Sequence, residues 1–356
     1  MLRSLRVVDF RCFPGLGLEV PDSGAVFTGR NAQGKTSVLE AVCLLVRLQS
    51  PRTSRMATLA RVGGAGGFGV AGEAWGAERR VDWAPRRPMG YRSDGEERST
   101  QGAYLEDGGL LVWMGNEDLD LVRGGGELRR RYLDFIGMQV EPAYRRALGR
   151  YRRAVKAKNF LLKDARPREA EIRSYESVMI ESAAVLRPVR SDLVARLAPE
   201  VARYQSSIAG HEEGIEVVYE PAGGMDLGVA IEQAAERERK QRRTLVGPHR
   251  DELVLKINGL AADSFASEGQ QRTLALALKL AQGQVLADRR GTQPVWLIDD
   301  IFGELDVGRR NAVLRALPPN AQKWITTTHL DWLEASPEFQ ELARFAVKAG
   351  TVAAEG

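Results

Sequence analysis

The pattern of hydrophobic and polar positions changes period along the chain. Leu5-Arg6-Val7-Val8-Asp9-Phe10 alternates loosely enough for a strand, and Leu16 to Val20 reads as a second. Pro21-Asp22-Ser23-Gly24 then turns the chain into a third, Ala25-Val26-Phe27-Thr28. From Lys35 to about Leu48 the sequence is apolar on most faces, which predicts a buried helix. Residues 50–67 are turn-rich, Phe68 to Trp83 predicts a hairpin, and Leu110-Leu111-Val112-Trp113 a short strand. Residues 84–100, rich in Pro, Arg, Ser and Gly, predict a mobile loop.

From about Glu127 the period becomes helical. Tyr144, Leu148, Tyr151, Val155 and Leu162 form one seam; after the breaker Arg166-Pro167-Arg168, Ile172, Tyr175, Met179, Ser182, Leu186, Val189 and Leu193 form another. Both are heptad seams, so the two helices are expected to pack as an antiparallel coiled hairpin, with a kink or break at Pro188. Then come a strand (Ile215 to Tyr219), a charged helix (about Met225 to Arg243), a strand (Leu253 to Ile257) and a helix (about Gln270 to Leu286). The apolar strand Val295-Trp296-Leu297-Ile298 follows, then a helix (Arg309 to Leu317), a strand (Lys323 to Thr327) and a helix (Trp332 to Phe345). This is α/β order on both sides of a helical insertion. It suggests a head formed by residues 1–126 and 215–356 and an arm formed by 127–214.

Composition narrows the class. With 356 residues, 44% hydrophobic and 28% charged, the chain reads as a soluble globular protein of two domains or one with a large insertion. No apolar run nears the length of a membrane span, and Met1-Leu2-Arg3-Ser4-Leu5 lacks the apolar core of a signal peptide, so a cytoplasmic protein is expected. Cys12 and Cys43 have no metal-ligand spacing and read as buried free thiols. The net charge of +4 permits nucleic acid without requiring it. Charge is lopsided within the arm: residues 127–168 hold 13 Lys/Arg against four Asp/Glu. A face built from Arg145, Arg146, Arg150, Arg152, Arg153, Lys156 and Lys158 could track phosphates, Arg145, Arg152 and Lys156 being the candidate DNA contacts; the competing view is a solvated coiled-coil surface. No base-reading motif accompanies it, so such contacts would be to backbone and shape.

Candidate chemistry begins between the third strand and the buried helix. Gly29-Arg30-Asn31-Ala32-Gln33-Gly34-Lys35-Thr36 fits G-x-x-x-x-G-K-[ST]. Strand, glycine-bearing loop and helix N-terminus aim backbone N–H groups and a helix dipole at one spot, which favours polyphosphate. Lys35 would reach the β- and γ-phosphates and the Thr36 hydroxyl would coordinate Mg²⁺, making ATP and Mg²⁺ the expected ligands. Downstream, Val295 to Ile298 delivers Asp299 and Asp300 at a strand's C-terminal end, Asp299 for the metal shell and Asp300 for the attacking water. Ser267-Glu268-Gly269-Gln270-Gln271 opens a long apolar helix, as an anion site or as an ordinary N-cap. Gly303-Glu304-Leu305-Asp306 follows the carboxylates, and His329 ends Thr326-Thr327-Thr328-His329 as a candidate γ-phosphate contact.

This ordered set, with Asp9-Phe10-Arg11 near the start and Gly247-Pro248-His249-Arg250-Asp251, resembles the ABC-type ATPases of the SMC and RecF group, and within it the RecF family, over essentially the whole chain. The resemblance implies an ABC/SMC-type ATPase head, a P-loop NTPase, with an inserted coiled-coil arm. Asp300, one methylene shorter than the glutamate commoner there in fast ABC enzymes, makes slow ATP hydrolysis the expectation. The resemblance also implies an ATP-dependent homodimer in which Ser267, Gly269 and Gln270 complete the site of a second copy, with Asp306 in the loop that crosses the dimer and His329 as the switch histidine. Arg11 would approach the nucleotide. Also implied are binding to double-stranded, gapped or junction DNA, association with the nucleoid, a RecR-like mediator partner and help in loading recombinase. Ala32 stands where the group commonly has glycine and Gly303 where it often has serine. Asn116 is the candidate for the glutamine that contacts metal-bound water. The alternative function, the ATPase subunit of a membrane transporter, shares the loop and signature but has no need of a basic helical arm.

Overall fold

The structure is a computed structural model that describes residues 1–106, 108–164, 168–330, 332 and 339–355. Two compact units divide the chain: residues 1–116 with 286–356, and residues 117–285. Residues 215–285, placed with the head on the strength of their motifs, cluster instead with the helices of the second unit.

The first unit opens with β1 (Ser4–Phe10), β2 (Phe13–Glu19), β3 (Gly24–Thr28) and α1 (Lys35–Arg47). Next come β4 (Phe68–Ala74), β5 (Ala77–Trp83), β6 (Gly90–Ser93), β7 (Glu96–Glu97), α2 (Gln101–Glu106) and β8 (Leu111–Gly115). The second unit holds α3 (Asp120–Arg123), α4 (Gly126–Val140), α5 (Pro142–Leu161), α6 (Glu169–Ala209), β9 (Ile215–Glu220) and α7 (Leu227–Gln241). It continues with β10 (Glu252–Ile257), β11 (Leu260–Ala261), α8 (Ala262–Phe265) and most of α9 (Glu268–Arg290), whose last residues from Leu286 belong to the first unit. The chain then adds β12 (Val295–Asp299), α10 (Val307–Ala316), β13 (Lys323–Thr327), β14 (Ala343–Lys348) and β15 (Thr351–Ala354) to the first unit.

Two six-stranded sheets organise the first unit, ordered β2-β1-β4-β5-β6-β7 and β15-β14-β3-β13-β12-β8. In the second of these, β14, β3, β13, β12 and β8 run parallel, so their carboxyl ends share one edge, and β15 closes it antiparallel. Helix α1 packs on strands of both sheets, which is why Thr36 alone of its residues escapes burial. Phe27 stacks between Trp324 and Phe345 at centroid distances of 5.6 and 5.4 Å, fixing β3 against both neighbours.

The structure departs from sequence expectation in several places. Residues 84–100 are not all loop: β6 and β7 within them extend the antiparallel sheet, with Val81 paired to Tyr91 and Ser93 to Glu96, while 84–89 and 98–100 stay irregular. Ala343 to Phe345 belong to β14, so the expected final helix does not reach them; most of its remaining length lies outside the described residues. Cys43 is buried, whereas Cys12 is exposed beside the phosphate loop. Helix α6 runs unbroken through both Pro188 and Pro199. Of the breaker at which the arm was expected to turn, Arg166 and Pro167 lie outside the described residues.

In the second unit, Lys158 pairs with Glu176 at 2.8 Å, Arg150 with Glu181 at 2.7 Å, and Arg190 Nε donates to the Tyr144 hydroxyl at 2.9 Å. Rising positions on α5 thus meet falling ones on α6, the antiparallel arrangement that the seams predict. The hairpin is nevertheless incomplete alone. Leu227, Ala230, Ile231 and Ala234 of α7 bury their faces against Tyr144, Leu148, Tyr151, Met179 and Leu186, making a three-helix core. Tyr175, a predicted seam residue, lies exposed at its rim.

Candidate functional site

The phosphate loop leaves β3 at its carboxyl end and enters α1 without a side-chain cap. Gly34 has φ 114, and a Cβ there would meet Cys12 Sγ at 2.6 Å. Gly29 has φ 143, and a Cβ there would meet the Val347 carbonyl oxygen at 2.3 Å. The loop is therefore pressed from both sides, by the β1–β2 turn and by the end of β14, and only glycine fits at either end. Gln33 ties it further: Ala349 N donates to Gln33 Oε1 at 2.7 Å and Gly350 N to the Gln33 carbonyl at 3.3 Å. These braces lie some 300 residues away in sequence, and nothing near Gln33 announced them.

Lys35 Nζ donates to the Gly29 carbonyl at 2.7 Å and the Arg30 carbonyl at 3.1 Å, curled over the loop. Burial pulls its pKa down, while Asp300 and then Asp299 push it back up. The Thr36 hydroxyl donates to Asp299 Oδ1 at 2.8 Å, and the Thr326 hydroxyl donates to the same oxygen at 2.7 Å. Thr326 sits opposite Asp299 on β13, and its hydroxyl also accepts from Asp300 N at 3.0 Å. One threonine thereby holds both the Asp299 carboxylate and the Asp300 backbone N–H. Sequence showed it as one of three threonines before a histidine, with no sign of which faced the site.

Asp300 occupies left-handed backbone at φ 50, a conformation Asp tolerates better than most residues. Burial raises its carboxyl pKa; nearby Lys35, a bond from the Thr328 backbone N–H and His329 oppose that, and Glu304 reinforces it. His329 is held through Thr327, whose hydroxyl donates to the His329 carbonyl at 2.9 Å and accepts from Trp332 Nε1 at 3.2 Å. Asn116 Nδ2 donates to Glu304 Oε1 at 2.9 Å and lies 3.5 Å from the Asp300 carbonyl, so it braces the segment after β12. Arg11 is committed elsewhere. Its guanidinium forks onto fully buried Glu40 of α1, with both N–O distances 2.7 Å, and donates to the Thr58 carbonyl at 2.9 Å. Asp306 caps α10, accepting from Arg309 N at 2.9 Å.

The donor set fits a magnesium nucleotide. Uncapped N–H groups at the start of α1, the Lys35 ammonium and the loop's left-handed glycines suit polyphosphate. No cluster of three or more His, Cys, Asp or Glu side chains able to hold a metal occurs among the described residues. Mg²⁺ needs no such cluster, since it keeps most of its water and is held by one or two protein oxygens beside phosphate oxygens. Thr36 and Asp299, joined at 2.8 Å, would supply such a pair.

The remaining predicted residues lie in the second unit. Ser267 Oγ accepts from Gln270 N at 3.3 Å while Gln270 Oε1 accepts from Ser267 N at 2.9 Å, a reciprocal capping box that starts α9. Gln270 Nε2 also donates to Glu213 Oε1 at 2.7 Å, and Gly269 lies between the capping residues. Arg152 is tied to Asp134 at 3.0 Å, Arg145 is half-buried and Lys156 is exposed.

No family model matches the chain. It is similar to the DNA replication and repair protein RecF of an Anaeromyxobacter species, at 38% identity over 373 residues covering 99% of this chain and 98% of that protein. The protein of the same name from Gloeobacter violaceus is 36% identical over 363 residues, covering 94% and 95%. Among solved structures, the recombination mediator protein RecF with ATPrS superposes with a TM-score of 0.88 at 25% identity, covering 100% of this chain and 98% of that one. The same mediator with ATP gives 0.86. An Smc head domain bound to the C-winged helix domain of ScpA, 14% identical with a TM-score of 0.59, shares the fold alone.

Proposed function

The chain belongs to the RecF family of DNA replication and repair proteins, with that family's ATPase-head fold and helical arm, and from this premise we propose that it is an ATP-gated DNA-binding protein of recombinational repair. The observation that carries the reading is the convergence of the Thr36 and Thr326 hydroxyls on one oxygen of Asp299 beside Lys35, at the carboxyl ends of β3, β12 and β13. When bound, Mg²⁺ supplies charge neutralisation between the phosphates. Lys35 and the loop N–H groups bind and orient them, and Thr36 and Asp299 hold the metal. Asp300 orients the attacking water and accepts its proton, with His329 beside it. Burial raises the Asp300 pKa, which makes its carboxylate a stronger base for that proton.

In this reading two copies join on binding ATP, Ser267, Gly269 and Gln270 of each completing the site of the other while Asp306 contributes from the first unit. The dimer holds duplex, gapped or junction DNA, meets a RecR-like mediator and assists recombinase loading in the cytoplasm at the nucleoid. No described helix is long and apolar enough to cross a membrane, and the basic arm gives the reading its DNA-facing surface. The deciding experiment measures binding of a short duplex and a gapped duplex with and without ATP. Affinity that rises with ATP on both supports the proposal, and affinity absent under every condition refutes it.

A further inference from the structure

Of the basic residues on α5, several are occupied. Lys158 is buried between Glu176 and Glu238, Arg150 pairs with Glu181 and Arg152 with Asp134. Arg146, Arg153 and Lys156 are exposed, and among the described residues no ion pair is recorded for any of them. With Phe160 they fall at spacings of 7, 3 and 4, which at about 100° per residue keeps all four within about 80° of one face over about 21 Å of helix. Phe160 is 67% exposed, whereas its neighbours Leu161 and Leu162 are buried with Ile172. The arm's core is satisfied without it. Lys163, also exposed, follows in the turn that continues the helix, its N–H bonded to the Phe160 carbonyl at 3.2 Å. An exposed apolar residue is ordinary on its own. One standing between cations at the end of a stripe of unpaired guanidinium and ammonium groups is a different arrangement. It offers phosphates a track and a base a flat ring to stack on.

We infer that this stripe binds an unpaired stretch of DNA, with Arg146, Arg153 and Lys156 on the phosphates and Phe160 stacked on an exposed base. A paired base presents its edges, with its faces covered by its neighbours in the helix, so Phe160 discriminates single strand from duplex while the cations do not. The inference rests on the DNA-binding reading above and deepens it by naming the strand state that the arm recognises.

The test is fluorescence anisotropy with a labelled 20-mer of oligo-dT and a 20-bp duplex, with ATP present. Phe160→Ala should weaken oligo-dT binding about tenfold, within the range found for one stacked base, and leave the duplex within about twofold. Phe160→Trp should restore the single-strand affinity. The triple change R146E/R153E/K156E should weaken both ligands and flatten their salt dependence. Phe160 belongs to neither buried cluster of the arm, so an unchanged melting temperature in Phe160→Ala confirms that fold is not the cause. Equal affinity of wild type and Phe160→Ala for oligo-dT overturns the inference, as does loss on duplex equal to that on oligo-dT. Wild-type protein that binds duplex but not oligo-dT leaves the stripe to an acidic protein surface and equally overturns it, while the DNA-binding reading stands. Wild type that binds neither ligand refutes that reading itself.

Discussion

Two residues of the phosphate site depart from what their backbone would favour, and each gives a measurable consequence. Ala32 sits at φ 64, in the left-handed region where a Cβ costs roughly 1–2 kcal/mol. Glycine would remove that strain but add unfolded-state entropy of about 0.4–1 kcal/mol. Ala32→Gly is therefore expected to be neutral or to stabilise the protein by up to about 1.5 kcal/mol in urea unfolding; destabilisation would mean that the Ala32 methyl has a packing role. Sequence marked this position as unusual, and its φ gives the reason. Asp300 is the second. It is set by Thr326 and Thr328 and lies close enough to Lys35 for their charges to interact. Asp300→Asn keeps the shape and removes the proton acceptor, so ATP binding should persist while turnover falls about 100-fold or more. Turnover within threefold of wild type would shift the role to His329.

At the scale of elements, legibility followed locality. The phosphate loop, the paired carboxylates and the α5–α6 seams could be read because each depends on residues a few positions apart. Strands β6 and β7 could not, because their edge pairing in a polar stretch depends on β5 rather than on their own composition. The place of α7 was hidden for a similar reason: its charged sequence conceals Glu238, buried with Lys158 at 2.6 Å. The segment Gly247 to Asp251 belongs to this class. Asp251 is fully buried, accepting from Arg187 at 3.1 Å, Arg190 at 3.3 Å, the Tyr219 hydroxyl and Ala222 N at 2.9 Å. It is a hub for α6 and β9, which a motif alone does not reveal. Next to it, His249 Nδ1 accepts from the Tyr151 hydroxyl at 2.6 Å, and burial pulls the imidazole pKa down to about 4. The unfolded chain protonates near the ordinary value of 6.5. Between those values the unfolded state binds more protons, so stability is present above pH 6.5 and is lost as pH falls toward 4. Urea unfolding should show a loss of about 2 kcal/mol between pH 7 and pH 5 from this residue. His249→Gln should flatten that part of the profile; an unaltered slope would assign it to the carboxylates.

For the whole molecule, the proposed function makes one chain answer to both ATP and DNA, and the signature segment is where that dependence is most directly tested. Ser267 has two separable properties. It caps α9 through its hydroxyl, and it stands exposed at the start of a 23-residue helix, where the proposed dimer would present it to a second copy. Ser267→Ala removes the cap alone, at about 1 kcal/mol, while Ser267→Arg removes the cap and adds bulk and positive charge. If the residue serves only to start the helix, both variants behave alike in every assay. If it completes the site of a second copy, they diverge. Both should bind ATP as wild type does, since the loop from Gly29 to Thr36 is untouched. In sedimentation velocity with ATP, wild type and Ser267→Ala should shift from monomer to dimer, with Ser267→Ala needing a somewhat higher concentration, and Ser267→Arg should stay monomeric. ATP-stimulated DNA affinity should follow the dimer in all three. A dimer that forms in Ser267→Arg as readily as in Ser267→Ala would confine the signature to its structural role. ATP would then have to act on DNA binding within a single chain.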